Sequence, residues 1–125
     1  MQYAILCYNE EDVVWSMSKQ EDQAMMARLN VVQDRLVKSG KLGVSLRLLP
    51  TTAAATLRTA PNGEALVLDG PFAETKEQLL GFFVVDTDNL EEALDLARDL
   101  AAAKTGSTYE VRPIALYFPD RRGAA

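Results

Sequence analysis

Residues 79–85 read Leu-Leu-Gly-Phe-Phe-Val-Val and form the most apolar run of the sequence. Hydrophobic side chains occupy both alternating faces of this run, which predicts a central strand that is covered on both sides. Residues 2–8 read Gln-Tyr-Ala-Ile-Leu-Cys-Tyr, are apolar in the same two-faced way, and predict a second strand of this kind. The sheet that contains these strands must therefore be covered on both faces.

Two segments have the signatures of helices. Residues 18–21, Ser-Lys-Gln-Glu, have the form of a capping box, in which side chains satisfy backbone donors at a helix start. Apolar residues then recur at helical spacing, which predicts a helix from about Lys19 to about Lys38. A second N-cap pattern occupies residues 88–91 and precedes another apolar stripe at helical spacing. That stripe comprises Leu90, Ala93, Leu94, Ala97 and Leu100.

The remaining segments predict strands. Residues 42–49 alternate loosely, and residues 61–63, Pro-Asn-Gly, are a turn signal between two strand-like runs, which predicts a hairpin. Residues 109–118 predict a last strand that is edged by Pro113. The order strand, helix, strand, hairpin, strand, helix, strand is typical of a ferredoxin-like α+β sandwich with a hairpin inserted at its middle.

The chain has 125 residues, the length of a single domain, and its end from about residue 119 is expected to be a flexible tail. Two helices cover only one face of a ferredoxin-like sheet. Because both inner strands are apolar on both faces, the other face needs a cover, and a second copy of the chain supplies one. We therefore expect a homodimer that packs sheet face to sheet face.

Composition excludes several kinds of function. Asp and Glu outnumber Lys and Arg by 18 to 13, and no basic run exceeds Arg121-Arg122, so no direct nucleic-acid partner is expected. The chain has no His and one Cys, which excludes His-dependent catalysis, a Cys/His zinc site and an internal disulfide. Carboxylates alone could still bind magnesium or calcium, but no calcium loop, P-loop or Gly-rich nucleotide motif occurs, and we expect neither metal nor cofactor. Without a signal sequence or an apolar stretch of about 20 residues, the protein is expected to be cytoplasmic, with no membrane contact.

Residues 69–78, Asp-Gly-Pro-Phe-Ala-Glu-Thr-Lys-Glu-Gln, combine turn residues, an aromatic ring and several charges. Asp69 is a candidate general acid or base, or it accepts hydrogen bonds from the backbone of its own turn. Phe72 is a candidate wall for a stacked ligand, or a core residue. Lys76 is a candidate ligand contact that could form a proton-transfer pair with Glu74, or both side chains could be solvated.

Arg47, Arg58 and Arg112 lie in strand-like segments or beside them. A guanidinium that faces a cleft binds a carboxylate through two hydrogen bonds, so a small anionic molecule is the expected ligand. Each arginine could instead pair with an acidic neighbour such as Asp69. Tyr8 is a candidate for the apolar wall of the same pocket.

Residues 69–78, continuing into Gly81-Phe82, resemble the DGPF-type branch of the YCII-related family. The flanking segments at residues 1–8, 55–58 and 110–113 agree with this resemblance, which covers nearly the whole chain. It implies a dimeric α+β barrel of ferredoxin-like subunits. Members of this branch are often encoded near extracytoplasmic-function sigma factors, which implies a functional link to a sigma factor.

The wider family is similar in fold to muconolactone isomerase and includes a chloromuconolactone dehalogenase. Its better-known members carry a His and an Asp in an active-site cleft, and here Asp69 alone matches that pair because the sequence has no His. Three functions remain open: a ligand-binding homodimer with a regulatory or sensing role, a small cofactor-independent isomerase, lyase or dehalogenase that uses Asp69, and a non-catalytic structural or interaction protein. The lack of His favours the first, because a lone carboxylate must be desolvated to act near neutral pH.

Overall fold

The computed structural model describes residues 1–104 and 106–118 of the chain. Along this part the elements are β1 (Gln2–Asn9), α1 (Glu11–Trp15), α2 (Lys19–Lys38), β2 (Leu42–Arg47), β3 (Ala55–Thr59), β4 (Ala65–Asp69), β5 (Gln78–Asp86), α3 (Leu90–Ala103) and β6 (Thr108–Pro113). The tail expected from residue 119 lies outside the described residues. Within the described part, no helix combines the length and the apolar character needed to cross a bilayer.

The main sheet has four strands in the order β2-β5-β1-β6, and each neighbouring pair is antiparallel. Strands β3 and β4 pair with each other in a separate antiparallel hairpin. Helix α2 lies between β1 and β2 in the chain, and α3 lies between β5 and β6. The fold is therefore the ferredoxin-like α+β arrangement with an inserted hairpin that the order of elements predicts, and residues 79–85 lie in an inner strand.

Both long helices begin where their capping patterns predict. The hydroxyl oxygen of Ser18 accepts a hydrogen bond from the backbone N–H of Glu21 at 3.1 Å, and the side-chain oxygen of Asn89 accepts one from Glu92 at 2.9 Å. Each bond satisfies a backbone donor that the first turn of a helix leaves without a partner. The bounds of α2 are those predicted from the sequence.

Three details differ from the expectations. The sequence does not predict α1, because a helix of 5 residues with no side-chain cap leaves almost no pattern. Strand β6 ends at Pro113 rather than at residue 118, since proline has no N–H with which to continue a ladder. In α3 the buried stripe includes Leu96, whereas Leu90 is exposed, so the helix is rotated relative to the predicted stripe.

One face of the main sheet, here called the helix side, packs against α2 and α3. It presents Tyr3, Ile5 and Cys7 from β1, and Phe83 and Val85 from β5. These side chains form one apolar cluster with buried residues of the two helices, namely Leu36, Ala93, Leu96, Ala97 and Leu100. The core of the domain therefore lies between the helix side and the two long helices.

The opposite face of the sheet, here called the open face, carries the alternate residues of the same strands. Leu6 is the partner of Phe82 on β5 and of Glu110 on β6, and Tyr8 is the partner of Leu79. Leu6, Tyr8 and Phe82 are only half-buried, and Leu79 is exposed. In a single chain the open face is apolar and incompletely covered.

The β3–β4 hairpin is also apolar and exposed. It turns at Gly63, which has a φ of 88°, a conformation that suits glycine because it has no Cβ. Its exposed large apolar side chains are Leu57, Leu66, Val67 and Leu68. The hairpin thus presents a second apolar surface that the rest of the chain leaves uncovered.

Strands β2 and β5 approach each other unusually closely at Gly81. A Cβ atom added to Gly81 would collide with the carbonyl oxygen of Leu46 and would lie 3.1 Å from the Cα atom of Arg47. Both neighbours belong to the backbone of β2, which cannot rotate away as a flexible side chain can. Only glycine fits at this position.

We expect Gly81→Ala to lower the free energy of unfolding by about 2–3 kcal/mol, because overpacking usually costs about 1–3 kcal/mol and the colliding atom here is backbone. Gly43→Ala is the matched control, since its added methyl group would meet the carbonyl oxygen of Val84 at an ordinary 3.6 Å. Urea unfolding followed by circular dichroism measures both variants. Equal unfolding midpoints for the two variants would contradict the close approach at Gly81.

Candidate ligand-binding site

A cavity of about 220 Å³ lies between α2 and the helix side of the sheet, and we call it the helix-side pocket. Helix α2 contributes Met25 and Leu29 to its lining, and the sheet contributes Phe83. The lining also includes Cys7, Arg47, Gly81, Lys104 and Tyr109. The pocket is mostly apolar, with two cationic side chains in its wall.

Strand register explains how the floor of the pocket is built. Cys7 of β1 is the partner of Tyr109 on β6 and of Gly81 on β5, and Gly81 is in turn the partner of Arg47 on β2. These four residues form one row across the sheet on the helix side. Because Gly81 has no side chain, the row has a gap between Cys7 and Arg47, and the pocket lies over that gap.

Arg47 is held in place by two neighbouring elements. Its guanidinium lies 3.0 Å from a carboxylate oxygen of Asp22 on α2 and 4.8 Å from the ring centroid of Trp15 on α1. The contact with the indole ring is a cation–π interaction. Arg47 therefore has both features that the sequence suggested as alternatives, an acidic partner and a place in the lining of a pocket.

Lys104 directly follows α3 and is half-buried in the pocket wall. Burial lowers the pKa of its ammonium group, and the nearby Arg47 lowers the pKa further, whereas Cys7 and Asp22 act in the opposite direction. Within residues 1–104 and 106–118, no carboxylate lies within ion-pairing distance of this ammonium group. Lys104 is a cation without a partner anion in the described part of the chain.

Cys7 and Tyr109 are neutral near pH 7. Burial raises the pKa of the Cys7 thiol to about 11 and the pKa of the Tyr109 hydroxyl to about 12. A protonated thiol is a poor nucleophile, so Cys7 acts as a small apolar residue here. The phenol of Tyr109 donates a hydrogen bond to the backbone oxygen of Lys104 at 3.4 Å. No carboxylate is among the described residues that line the pocket.

A second cavity, of about 330 Å³, lies beside the helix-side pocket, and we call it the polar cavity. Its lining includes the polar side chains Asn9, Glu21 and Arg28, together with apolar residues of α1. Met25 and Lys104 line both cavities. The two cavities are therefore neighbours that share one wall.

The motif at residues 69–78 lies in the hairpin and the loop after it, and none of its residues is in the lining of either cavity. Asp69 ends β4 and is exposed. The guanidinium of Arg58 donates a hydrogen bond to the backbone oxygen of Phe72 at 3.2 Å, and the ring of Phe72 is 76% exposed. Arg58 and Phe72 are thus brought together, and Arg58 holds the loop after β4.

The end of the motif contacts α1. Lys76 lies 3.7 Å from the carboxylate of Glu10 and is largely exposed, and the side-chain oxygen of Gln78 accepts a hydrogen bond from the backbone N–H of Glu11 at 3.2 Å. The Glu11 carboxylate also accepts bonds of 2.6 and 2.7 Å from the N–H and hydroxyl of Thr51. The motif therefore anchors α1, the helix whose Trp15 packs on Arg47.

Tyr8 and Arg112 lie on the open face, across the sheet from the helix-side pocket. Tyr8 is the partner of Leu79, and Arg112 is the partner of Ala4. The residues proposed from the sequence thus fall in three places: Arg47 at the pocket, Asp69, Arg58, Phe72 and Lys76 in the hairpin and its loop, and Tyr8 and Arg112 on the open face.

Sequence reasoning did not identify Lys104, because a single lysine after an amphipathic helix has the pattern of a solvated residue. Lys104 lies between α3 and β6 in the chain, and only the tertiary packing of these two elements brings it into the same lining as Cys7 and Tyr109. In the described part of the chain, no group of three or more His, Cys, Asp or Glu side chains is placed to hold a metal ion.

Comparison with known proteins shows that residues 1–116 match the YCII-related domain. An uncharacterized protein of Rhizobium meliloti (strain 1021) is 60% identical over 121 residues, which cover 95% of this chain and 96% of that protein.

The raised pKa of Cys7 predicts a loss of stability at alkaline pH. The unfolded thiol has a pKa of 9.0 and the folded thiol one of about 11, so the unfolded chain releases this proton first. The free energy of unfolding therefore falls between about pH 9 and pH 11, by up to about 1.4 kcal/mol per pH unit, and this contribution is constant below pH 9. Urea unfolding across this range should show a shallower decline for Cys7→Ala than for the unmodified chain. Parallel curves for the two proteins would rule out the buried thiol as the cause.

Proposed function

The chain belongs to the YCII-related family, and on that premise we propose that it binds a compact organic anion in the helix-side pocket. The observation that carries this proposal is Lys104, a half-buried cation that has no carboxylate partner among the described residues and lines a mostly apolar cavity. A buried or half-buried charge is favourable only when an opposite charge or hydrogen bonds compensate it. A bound anion would supply that compensation.

The second cation of the pocket has a different role. The charge of Arg47 is already compensated in part by Asp22, and Trp15 restricts its orientation. Arg47 can therefore offer its remaining N–H groups to an acceptor in a fixed direction, because a guanidinium carries five donors in a rigid plane. We assign Lys104 the main charge contact and Arg47 a directional hydrogen bond.

Pocket size limits the ligand. At about 220 Å³ the helix-side pocket is smaller than the ~300–1,000 Å³ typical of sites for drug-sized molecules. Its apolar lining of Leu29, Met25 and Phe83 suits a hydrocarbon body. The ligand class that fits is a monocarboxylate with one ring or a short branched chain.

We favour binding over turnover. Catalysis by proton transfer needs a group whose pKa lies near the working pH, and burial moves the pKa values of Cys7 and Tyr109 away from that range, to about 11 and 12. Burial lowers the pKa of Lys104, but the lining of the pocket holds no carboxylate that could act with it as a proton-transfer pair, so we assign it to charge binding. Asp69, the alternative acid or base, is exposed at the end of β4 and lies outside the lining of both cavities. A sensing role and the functional link to a sigma factor stay predictions from the family resemblance.

The same proposal includes a homodimer. Its support is the open face, where Leu6 and Phe82 are half-buried and Leu79 is exposed although all three are apolar. Large exposed apolar patches usually mark interaction surfaces, and a two-fold axis covers one such patch with the same patch of a second copy. The exposed apolar side chains of the β3–β4 hairpin add to the apolar area of one chain that a second copy could cover.

Benzoate is the probe for the binding proposal. Isothermal titration should detect binding of benzoate and much weaker binding of benzamide, its neutral analogue. Lys104→Met should weaken benzoate binding about 10- to 100-fold, because a hydrogen bond to a charged group is worth about 1.5–3 kcal/mol. Arg47→Gln should weaken it less, since Asp22 already compensates part of that charge.

Lys41→Met is the matched control for Lys104→Met, because Lys41 is paired with Glu92 at 3.0 Å and is absent from the lining of the pocket. This control should bind benzoate as the unmodified chain does. Equal affinities for benzoate and benzamide, or an unchanged affinity in Lys104→Met, would overturn the proposal.

Leu79→Glu tests the homodimer. A charge placed on the open face should weaken self-association at least about tenfold, because burying an unpaired carboxylate is unfavourable. Val31→Glu is the control, since Val31 is 71% exposed on α2, away from the open face. Sedimentation velocity over a range of protein concentrations measures the association. A monomer in the unmodified chain, or a dimer that Leu79→Glu leaves unaffected, would count against this arrangement.

A further inference from the structure

Lys104 differs from every other lysine of the chain in its surroundings. The exposed lysines are Lys19, Lys38 and Lys76. Lys41 is half-buried, as Lys104 is, but it pairs with Glu92 at 3.0 Å. Lys104 lies in the lining of a mostly apolar cavity and has no carboxylate partner among the described residues. A lysine placed in this way can react as an amine, because only the neutral form of the side chain is a nucleophile.

The surroundings of Lys104 favour that neutral form. Burial lowers the pKa of the ammonium group and the guanidinium of Arg47 lowers it further, whereas Cys7 and Asp22 raise it. Burial raises the pKa of the Cys7 thiol to about 11, so this thiol carries no negative charge near pH 7, and the carboxylate of Asp22 is paired with Arg47. Lys104 therefore has more neutral amine near pH 7 than a solvated lysine has.

The backbone fixes the base of this side chain. The N–H of Lys104 donates a hydrogen bond to the backbone oxygen of Ala101 at 3.1 Å, and its carbonyl oxygen accepts one from the hydroxyl of Tyr109 at 3.4 Å. Lys104 lines the polar cavity as well as the helix-side pocket. A ligand in the pocket can thus reach the amine from one side, and the polar cavity offers space for a water molecule on the other.

We propose that Lys104 captures a 2-oxo monocarboxylate in the helix-side pocket as a reversible imine, with the ligand's carboxylate held by Arg47. This inference rests on the proposed function, since it uses the same pocket, and it names the subclass of organic anion. The amine nitrogen bonds to C2 of the ligand, the C2–oxygen double bond breaks, and the two amine hydrogens leave with that oxygen as water. Hydrolysis reverses the step and needs no other reactant.

The two cations of the lining match the two polar groups of such a ligand. A guanidinium stays charged and presents its donors in a plane, so Arg47 suits the carboxylate, whereas a lysine can give up its proton and attack the carbonyl carbon. Met25, Leu29 and Phe83 suit the hydrocarbon group attached to C2. A proton taken up from water by the imine nitrogen places a positive charge beside the ligand's own carboxylate, which keeps the half-buried charge compensated.

Phenylglyoxylate, a 2-oxo acid with one ring, is the probe, and sodium cyanoborohydride is the trap because it reduces an imine to a stable secondary amine. Intact-protein mass spectrometry at pH 7 should show one adduct, whose mass is that of phenylglyoxylic acid less one oxygen atom. Peptide mapping should place the adduct on Lys104. Labelling of Lys104 should be at least about tenfold faster than labelling of the exposed lysines, since the pocket holds the carbonyl group next to this amine.

Lys104→Arg keeps a positive charge but has no amine that can form the imine, so this variant should lose the selective adduct. Lys41→Arg is the matched control, because Lys41 is also half-buried but lies outside the lining of the pocket. It should be labelled as the unmodified chain is. Arg47→Gln should slow the labelling of Lys104 about tenfold or more, because it removes the carboxylate contact. Circular dichroism verifies the fold of each variant.

The outcomes separate this inference from the proposed function. If benzoate binds in isothermal titration but Lys104 is labelled no faster than the exposed lysines, the inference alone is overturned. An adduct that persists in Lys104→Arg overturns it as well. If the chain neither binds benzoate nor forms the adduct, both proposals fail. Selective labelling of Lys104 in a chain that does not bind benzoate would support the imine and contradict the binding of simple carboxylates.

Discussion

The close approach of β2 to β5 at Gly81 is the constraint on which the rest of the structure depends. The carbonyl oxygen of Leu46 occupies the space that any side chain at Gly81 would need. Because Gly81 has no side chain, β2 can come this close, the floor row has a gap between Cys7 and Arg47, and the strand register puts Arg47 at the edge of that gap. The floor of the helix-side pocket and the place of one of its two cations therefore depend on glycine at position 81. Lys104 joins the lining of the pocket from the end of α3.

The motif at residues 69–78 contributes to the helix-side pocket indirectly, through contacts within the same chain. Arg58 holds the loop at Phe72, and Gln78 holds the start of α1 at Glu11. Helix α1 in turn carries Trp15, which packs on Arg47. The motif thus connects the exposed hairpin to the pocket through one short helix. A segment that combines turn residues and charges acts here as an anchor, and its residues do not themselves line either cavity.

Much of the fold could be predicted from local patterns. Ser18 and Asn89 mark helix starts because their caps involve only residues three positions away, and the two-faced pattern of residues 79–85 follows from burial on both sides of a strand. The sequence also indicates that Arg47 needs a partner, because it is a cation in a strand, and the structure pairs it with Asp22 beside the pocket. The pocket itself depends on the register of four strands, and Lys104 reaches it only through the packing of α3. Neither the strand register nor the packing of α3 can be read from a pattern within one segment. Helix α1 could not be predicted for a similar reason, because Glu11 is held by Gln78 and Thr51, which are distant in sequence.

The central claim is that a small organic anion binds in the helix-side pocket. A crystal structure of the protein soaked with 4-bromobenzoate, with data collected at the bromine absorption edge, locates the ligand without assumptions about its pose. We expect a bromine peak between α2 and the sheet, above Gly81, with the carboxylate within hydrogen-bond distance of Lys104. A bromine peak on the open face or at the hairpin, with the helix-side pocket empty, would contradict it.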